Sequence, residues 1–260
     1  RFAIDSSTGE ITVADGSLLN FEAAASHDVT VRVTDSGGLT YDETFTINLT
    51  NVNESPTGAD ATVTINEDGS HTMTAANFGF SDVDAGDSLS AVRIDTLPGA
   101  GSLTLSGVAV TAGQVISLAD ITAGNWVFTP AVNANGTGYA SFTFSVRDSN
   151  NTYDAAPNTL TVNVTATNDA PTDMALSANT VAENAANGTS VGTVSGTDPD
   201  SGDTQSYSLT DTAGGRFAID SSTGEITVAD GSLLNYESAT NHSVTVRVTD
   251  SGGLTYDETF

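Results

Sequence analysis

The sequence predicts an all-β chain of tandem Greek-key β-sandwich modules in an elongated array. Three observations carry that expectation: apolar residues alternate in short runs, turn formers separate the runs, and one long segment occurs twice.

The alternation is clearest in VTVRVT at 29–34, where Val29, Val31 and Val33 share one face and Thr30, Arg32 and Thr34 the other. FTINLT at 45–50 repeats the device with Phe45, Ile47 and Leu49, and FTFSV at 142–146 and LTVNV at 160–164 do the same. SLTLSGVAVTAGQVIS at 102–117 reads as a hairpin ladder turned by Gly107 and Gly113. Between the runs stand DSSTG at 5–9, DSGG at 35–38, DAGD at 84–87, NANG at 133–136 and DSGD at 200–203, all rich in turn-forming residues. Helical periodicity is nowhere sustained.

Residues 1–45 recur at 216–260 with five changes, an offset of 215 residues. That period is too long for one solenoid unit and fits two sandwich-sized domains. Three modules follow: 1–52 (the C-terminal part of one), 53–168 (complete) and 169–260 (lacking its last strand). The chain reads as a window on a longer array.

Of 260 residues, 33 are acidic and 6 basic, a formal net charge of −27. Nucleic acid and anionic membrane surfaces need basic patches, so neither is expected as a partner. No apolar run suits membrane insertion in this segment. Hydrophobic residues make up 38% of the chain, enough for folded cores rather than disorder. Cysteine is absent, which excludes disulfides and thiolate metal sites.

Oxygen-rich clusters fall at corresponding places in the modules. Module three carries Glu183, the TDPDSGD motif with Asp198, Asp200 and Asp203, Glu237, and Asp250. Module two carries Glu67, the SDVDAGD motif with Asp82, Asp84 and Asp87, and Asp148; module one keeps Glu22 and Asp35. Calcium takes six to eight oxygen ligands, and D-x-D spacing in a turn can aim two of them at one ion. Magnesium asks for stricter octahedral geometry, and zinc for His or Cys. The same residues also build ordinary solvated turns, so on the residues alone both readings stay open.

RFAIDSSTGEITVADGSLLNFE…VTVRVTDSGG…TFTINLTNVNESPT closely resembles the later part of a cadherin repeat. Module three adds the early part, with AEN and DPD. Module two resembles the related cadherin-like module that alternates with such repeats in large bacterial surface adhesins of the RTX type. The resemblance covers essentially the whole chain and implies a cadherin/Ig-like sandwich with calcium at the junctions between modules. It implies a first junction using Glu22, Asn53, Glu54, Asp82, Asp84 and Asp148. A second would use Glu67, Asn168, Asp169, Asp198, Asp200 and Asp250. Glu183 and Glu237 would belong to a third. Departures weaken the sites: Asn20 stands where the family's Leu-Asp-x-Glu motif has an acid, Asn51 or Ala166 where the linker has one, and PAVNANG replaces the glutamate motif in module two. Fewer or weaker ions per junction are expected, and Pro171 should stiffen the linker.

No enzyme is expected. TDSGG at 34–38 and 249–253 reads as the turn after a strand, and the three histidines include no positioned catalytic base. With one Trp and 7% aromatics, no sugar cleft is indicated. The expected function is a calcium-rigidified extracellular spacer of a secreted bacterial surface protein, with neighbouring modules as partners and homophilic or host-matrix contacts open. The alternatives are a carbohydrate- or protein-binding sandwich and a subunit of a laterally packed filament.

Overall fold

A computed structural model describes residues 1–260. The chain is all-β apart from one short α-helix, Leu118–Thr122, and three single 3₁₀ turns. It divides into two compact units, Arg1–Ala131 with Asn135–Thr165, and Ala166–Phe260 with Val132–Ala134.

The core of the first unit is a sandwich. One sheet runs in the order Val115–Ser117, Ala91–Ile94, Gly136–Arg147, Asn158–Thr165, Ala61–Asn66; the other runs His71–Thr72, Trp126–Thr129, Ser102–Leu105, Val108–Ala109. Neighbours are antiparallel except Ala61–Asn66, which lies parallel to Asn158–Thr165. Alternation aims Val92, Ile94, Phe142, Phe144 and Val162 from the first sheet at Leu103, Trp126 and Phe128 from the second. Trp126 is fully buried and stacks on Phe78 at 5.1 Å, and Phe144 meets Phe78 edge-on at 4.9 Å.

The hairpin ladder expected over 102–117 forms only in part. Ser102–Leu105 pairs with Val108–Ala109 around Gly107, but the chain then crosses to the opposite sheet, where Val115–Ser117 pairs with Ala91–Ile94. Gly113 marks that crossing by donating to the Ile94 carbonyl at 2.7 Å, and Ile116 is fully buried there. The α-helix follows at once. Ser117 caps it by accepting from Asp120 N–H, and this Ser-x-x-Asp spacing was its one sequence signal.

Residues 1–50 form two hairpins, Phe2–Ile4 with Ile11–Val13 and Ser26–Thr34 with Thr40–Asn48. The second strand of the latter begins at Thr40, earlier than the FTINLT pattern suggests. Its first half is polar, so alternation does not reveal it. Cross-strand pairs set its register: Arg32 grips Asp42 through two 2.7 Å bonds, and Thr30 meets Thr44 at 2.9 Å.

The second unit has a four-stranded sheet (Asp173–Leu176, Ser190–Thr197, Glu225–Val228, Phe217–Ile219) and a three-stranded one (Ser206–Asp211, Thr245–Thr249, Thr255–Thr259). Here the repeated sequence sits in a finished sandwich. Ile226, Val228 and Val248 are 2%, 1% and 0% exposed, whereas their first-copy counterparts Ile11, Val13 and Val33 are 37%, 57% and 61% exposed. The difference lies in the neighbours. Glu225–Val228 pairs with Ser190–Thr197, and Thr245–Thr249 with Ser206–Asp211. Ile11–Val13 and Ser26–Thr34 each pair only within their own hairpin.

Candidate metal centre

In the first unit the centre is built around Asp84, 6% exposed, in the SDVDAGD turn. The turn folds onto its own carboxylates: Asp84 N–H donates to Asp82 Oδ1 at 3.0 Å, and Asp87 N–H to the Asp84 carbonyl at 3.1 Å. The linker closes over it. Asn51 donates its amide to Asp84 Oδ1 and Glu54 its backbone N–H to Asp84 Oδ2, both at 2.8 Å. Buried Pro56 follows, and Thr57 bonds to Ser81 in both directions.

Asp148, fully buried, ends the long strand Gly136–Arg147. Its Oδ1 accepts from Thr152 N–H at 2.7 Å and its Oδ2 from the Asn53 amide at 2.9 Å. Asp87 accepts from Ser149 Oγ at 2.6 Å and from the Asn150 amide. Ligand oxygens of Glu22, Glu54 and Asp84 lie within 4.8 Å of one another, as do those of Asp82, Asp84 and Asp87.

Loss of hydration inside this cluster, then the Glu22 and Asp84 charges, hold Glu54 above the usual carboxylate range. Asp84 is held below it by the Glu54 N–H and the Asn51 amide.

The second unit repeats the arrangement with different neighbours in sequence. Asp169 N–H donates to Asp200 Oδ2 at 2.8 Å, Asp200 N–H to Asp198 Oδ1 at 2.9 Å, and the Asn168 amide to Asp250 Oδ2 at 2.8 Å. Leu254 N–H caps Asp250 Oδ1 at 2.8 Å, as Thr152 caps Asp148. Asp203 accepts from the Ser251 hydroxyl, which holds its carboxyl low. Asp198, Asp203 and Asp250 offer oxygens within 4.8 Å of one another, and 166–168 with 200–203 line a shallow cleft of about 320 Å³.

Each predicted ligand therefore has a definite place. Glu22, Glu54, Asp82 and Asp84 converge, and Asn53 and Asp148 brace one another beside them. Asn168, Asp169, Asp198, Asp200 and Asp250 form the corresponding network. Glu67, 4% exposed, accepts from the Asn135 amide at 2.9 Å. Glu183 accepts from Tyr236 N–H at 3.0 Å, while Glu237 is exposed and belongs to no close carboxylate cluster. Two residues fell outside the ligand set carried over by resemblance, Asp87 and Asp203. Their signal was the shared D-x-D-x-G-D spacing.

The donor set was tested for fit to a hard divalent cation. Asp82 Oδ2 and its counterpart Asp198 Oδ2 are both buried without a hydrogen-bond partner. A buried carboxylate oxygen lacking a donor is costly unless a cation faces it. Each cluster is also all-oxygen, as calcium prefers. The residues fit.

With fold and clusters in place, comparison with known proteins defines the class. Residues 52–165 match the model of the cadherin-like domain and residues 178–259 that of the cadherin domain. The chain carries cadherin-type domains. Among solved structures it is similar to mouse protocadherin-24 EC1-3 (20% identity, TM-score 0.67, 100% of this chain and 84% of that one). It is likewise similar to human CDH23 EC21-23 (22%, 0.57, 99% and 79%). Extracellular cadherin domains 3-6 of protocadherin gamma B2 also superpose (19%, 0.56, 99% of this chain), and the chain spans 61% of that structure. Identities this low establish the shared fold. No curated protein matches the chain.

Proposed function

We propose that the chain is a calcium-stiffened spacer in an extracellular adhesin of a bacterial surface, projecting a distal binding domain. The observation that carries this reading is the orphaned carboxylate oxygen placed alike in both units, Asp82 Oδ2 and Asp198 Oδ2, each inside an acidic cluster. Linker residue Glu54 shares a cluster with Glu22 and Asp84, and Asp250 at a strand end shares one with Asp198 and Asp203, so each centre ties together pieces far apart in sequence.

In the first unit Glu22, Glu54, Asp82, Asp84 and Asp87 would hold the ion, with Asn53 and Asp148 fixing the linker behind them. Glu22 belongs to module one and Asp84 to module two, so this centre bridges their junction. In the second unit Asp198, Asp200, Asp203 and Asp250 would serve, with Asn168 and Asp169 on the linker. Calcium would supply the positive charge that neutralises these mutually repelling carboxylates. The protein's own part is to hold the oxygens preformed: Asx-turn bonds fix Asp82 and Asp198, and backbone donors fix Asp84 and Asp200. Bending at the linker would pull Glu54 from Asp84, so a filled centre resists it. Millimolar external calcium suits such a device, and a calcium-poor cytosol would leave it slack.

The test is calcium titration of the whole chain, followed by thermal unfolding and small-angle scattering, with chelator as reference. A ligand at 100 times its Kd adds about 2.7 kcal/mol to folded-state stability, a readily visible rise in Tm. Calcium should also narrow the distribution of chain dimensions. An unchanged Tm together with an unchanged radius of gyration would sink the reading. Asp84→Asn should weaken the response and leave the calcium-free protein folded.

A further inference from the structure

Asn150 and Gly252 hold the same place in the two units. Each stands two residues past the buried aspartate that follows a strand, Asp148 in DSNN and Asp250 in DSGG. In the first unit three oxygens converge on the Asn150 amide nitrogen: Asn53 Oδ1 at 2.5 Å, and Asp87 Oδ1 and Oδ2 at 3.0 and 2.9 Å. Asn53 belongs to the linker and Asp87 to the SDVDAGD turn, so one neutral donor gathers oxygens from both. Calcium gathers oxygens in the same way, at about 2.3–2.6 Å.

The second unit has no such donor. A Cβ on Gly252 would run into the Asn168 amide group, so the position has no room for a side chain while Asn168 holds Asp250. The rest of the corner is alike: the Ser251 hydroxyl donates to Asp203 as the Ser149 hydroxyl does to Asp87. The clustering differs with the donor. Asp203 shares its cluster with Asp198 and the strand-end Asp250, whereas Asp87 shares its cluster with Asp82 and Asp84.

We propose that the Asn150 amide stands in for part of the ion's charge at the first centre and competes with calcium for Asn53 and Asp87. This inference rests on the calcium reading above and ranks the two centres. An ion entering the first must displace the amide and make good its three contacts before it gains, whereas Gly252 imposes no such cost. The second centre therefore fills at lower calcium. Without calcium, the amide keeps the first linker tied to its turn.

The experiment titrates calcium into the full chain and into Asn150→Ala, read residue by residue from backbone amide resonances. Glu54 and Asp87 report the first centre, Asp169 and Asp203 the second. In the parent the second midpoint should lie about tenfold lower in calcium than the first. Asn150→Ala should bring the first midpoint down toward the second and leave the second in place. Asn150→Gly, which gives the first unit the residue of the second, should act alike. In chelator both variants should melt below the parent, a loss that needs no ion. Equal parental midpoints overturn the proposal, as does a first midpoint that the variants leave unmoved. A first midpoint raised by the variants overturns it too, because Asn150 would then be turning its oxygen to the ion as a ligand. Unchanged melting in chelator overturns the stand-in role. No response at either centre sinks the calcium reading and the competition with it, while the melt in chelator still decides whether the amide ties linker to turn.

Discussion

The Asn53 amide donates to the buried carboxylate of Asp148 across 2.9 Å, and Asn168 makes the same bond to Asp250 at 2.8 Å in a module of different sequence. In both cases the second carboxylate oxygen is held by a backbone N–H four residues on, from Thr152 or Leu254. The Asn is thus the one side-chain tie between the linker and the strand end. It works whether or not an ion is present.

Asn53→Ala should therefore destabilise the first unit by about 1–3 kcal/mol, the cost of leaving a buried carboxylate short of a donor. Asn168→Ala should do the same to the second unit. Denaturant unfolding in chelator reads both. Asn53→Asp should cost more, because it sets a like charge against Asp148, and calcium should recover part of the loss. Equal stability of parent and Asn53→Ala in chelator would show that the bond is not a brace.

Val248 and Val33 occupy the same position of one repeated sequence, yet are 0% and 61% exposed. Truncating a buried valine loses transfer energy and leaves a cavity, so Val248→Ala should cost about 2 kcal/mol. Val33→Ala should stay within about 0.5 kcal/mol. Melting curves of the two variants would check this, and equal losses would mean that the first copy is covered in solution.

Gly16 and Gly231 form a second such pair. A Cβ on Gly231 would run into the Ala185 carbonyl oxygen, whereas one on Gly16 would meet only Val13 Cγ1 at 3.9 Å. Gly231→Ala should force the 3₁₀ turn Gly231–Leu233 away from the 182–185 loop and cost more than about 1 kcal/mol. Gly16→Ala should be tolerated. Limited proteolysis of the second unit reports the difference, and indistinguishable digestion patterns would contradict it.

These paired positions show what the sequence could and could not convey. Strands with one apolar face were plain from spacing alone, as with Thr245–Thr249 and Asn158–Thr165. Polar Thr40–Thr44 was hidden because its pairing rests on Arg32–Asp42 and on hairpin geometry, neither of which leaves an alternating trace. The destination of Val115–Ser117 was equally hidden, since crossing between sheets is decided by tertiary packing. The acidic motifs were legible as clusters. The shared D-x-D-x-G-D spacing pointed to Asp87 and Asp203, but spacing could not say that Asn51 turns its amide, rather than its oxygen, toward Asp84. The valines of the second copy are buried because Ser190–Thr197 and Ser206–Asp211 pair beside them.

Asp154 supplies a prediction about pH. Its Oδ2 accepts from the Asn158 amide at 2.7 Å, while its Oδ1 is buried with no partner. Burial above all, with Asp95 adding a like charge, raises its carboxyl above the ordinary range; the nearby polar groups of Ser145 and Val146 and the Arg93 charge offset only part of that. A carboxyl raised in the folded state binds its proton more tightly there than in the unfolded chain. Its penalty is therefore absent below the unfolded pKa of about 3.9 and grows as pH rises through the folded value. Asp154→Asn removes the charge and keeps an oxygen for the Asn158 amide. The variant's stability relative to the parent should accordingly climb between pH 4 and 7 and level off above the folded pKa. Melting temperatures of both proteins across that range, in chelator so that the acidic clusters contribute equally, provide the measurement. A difference that does not vary with pH, or one that falls as pH rises, would show that Asp154 is not held in a costly charged state.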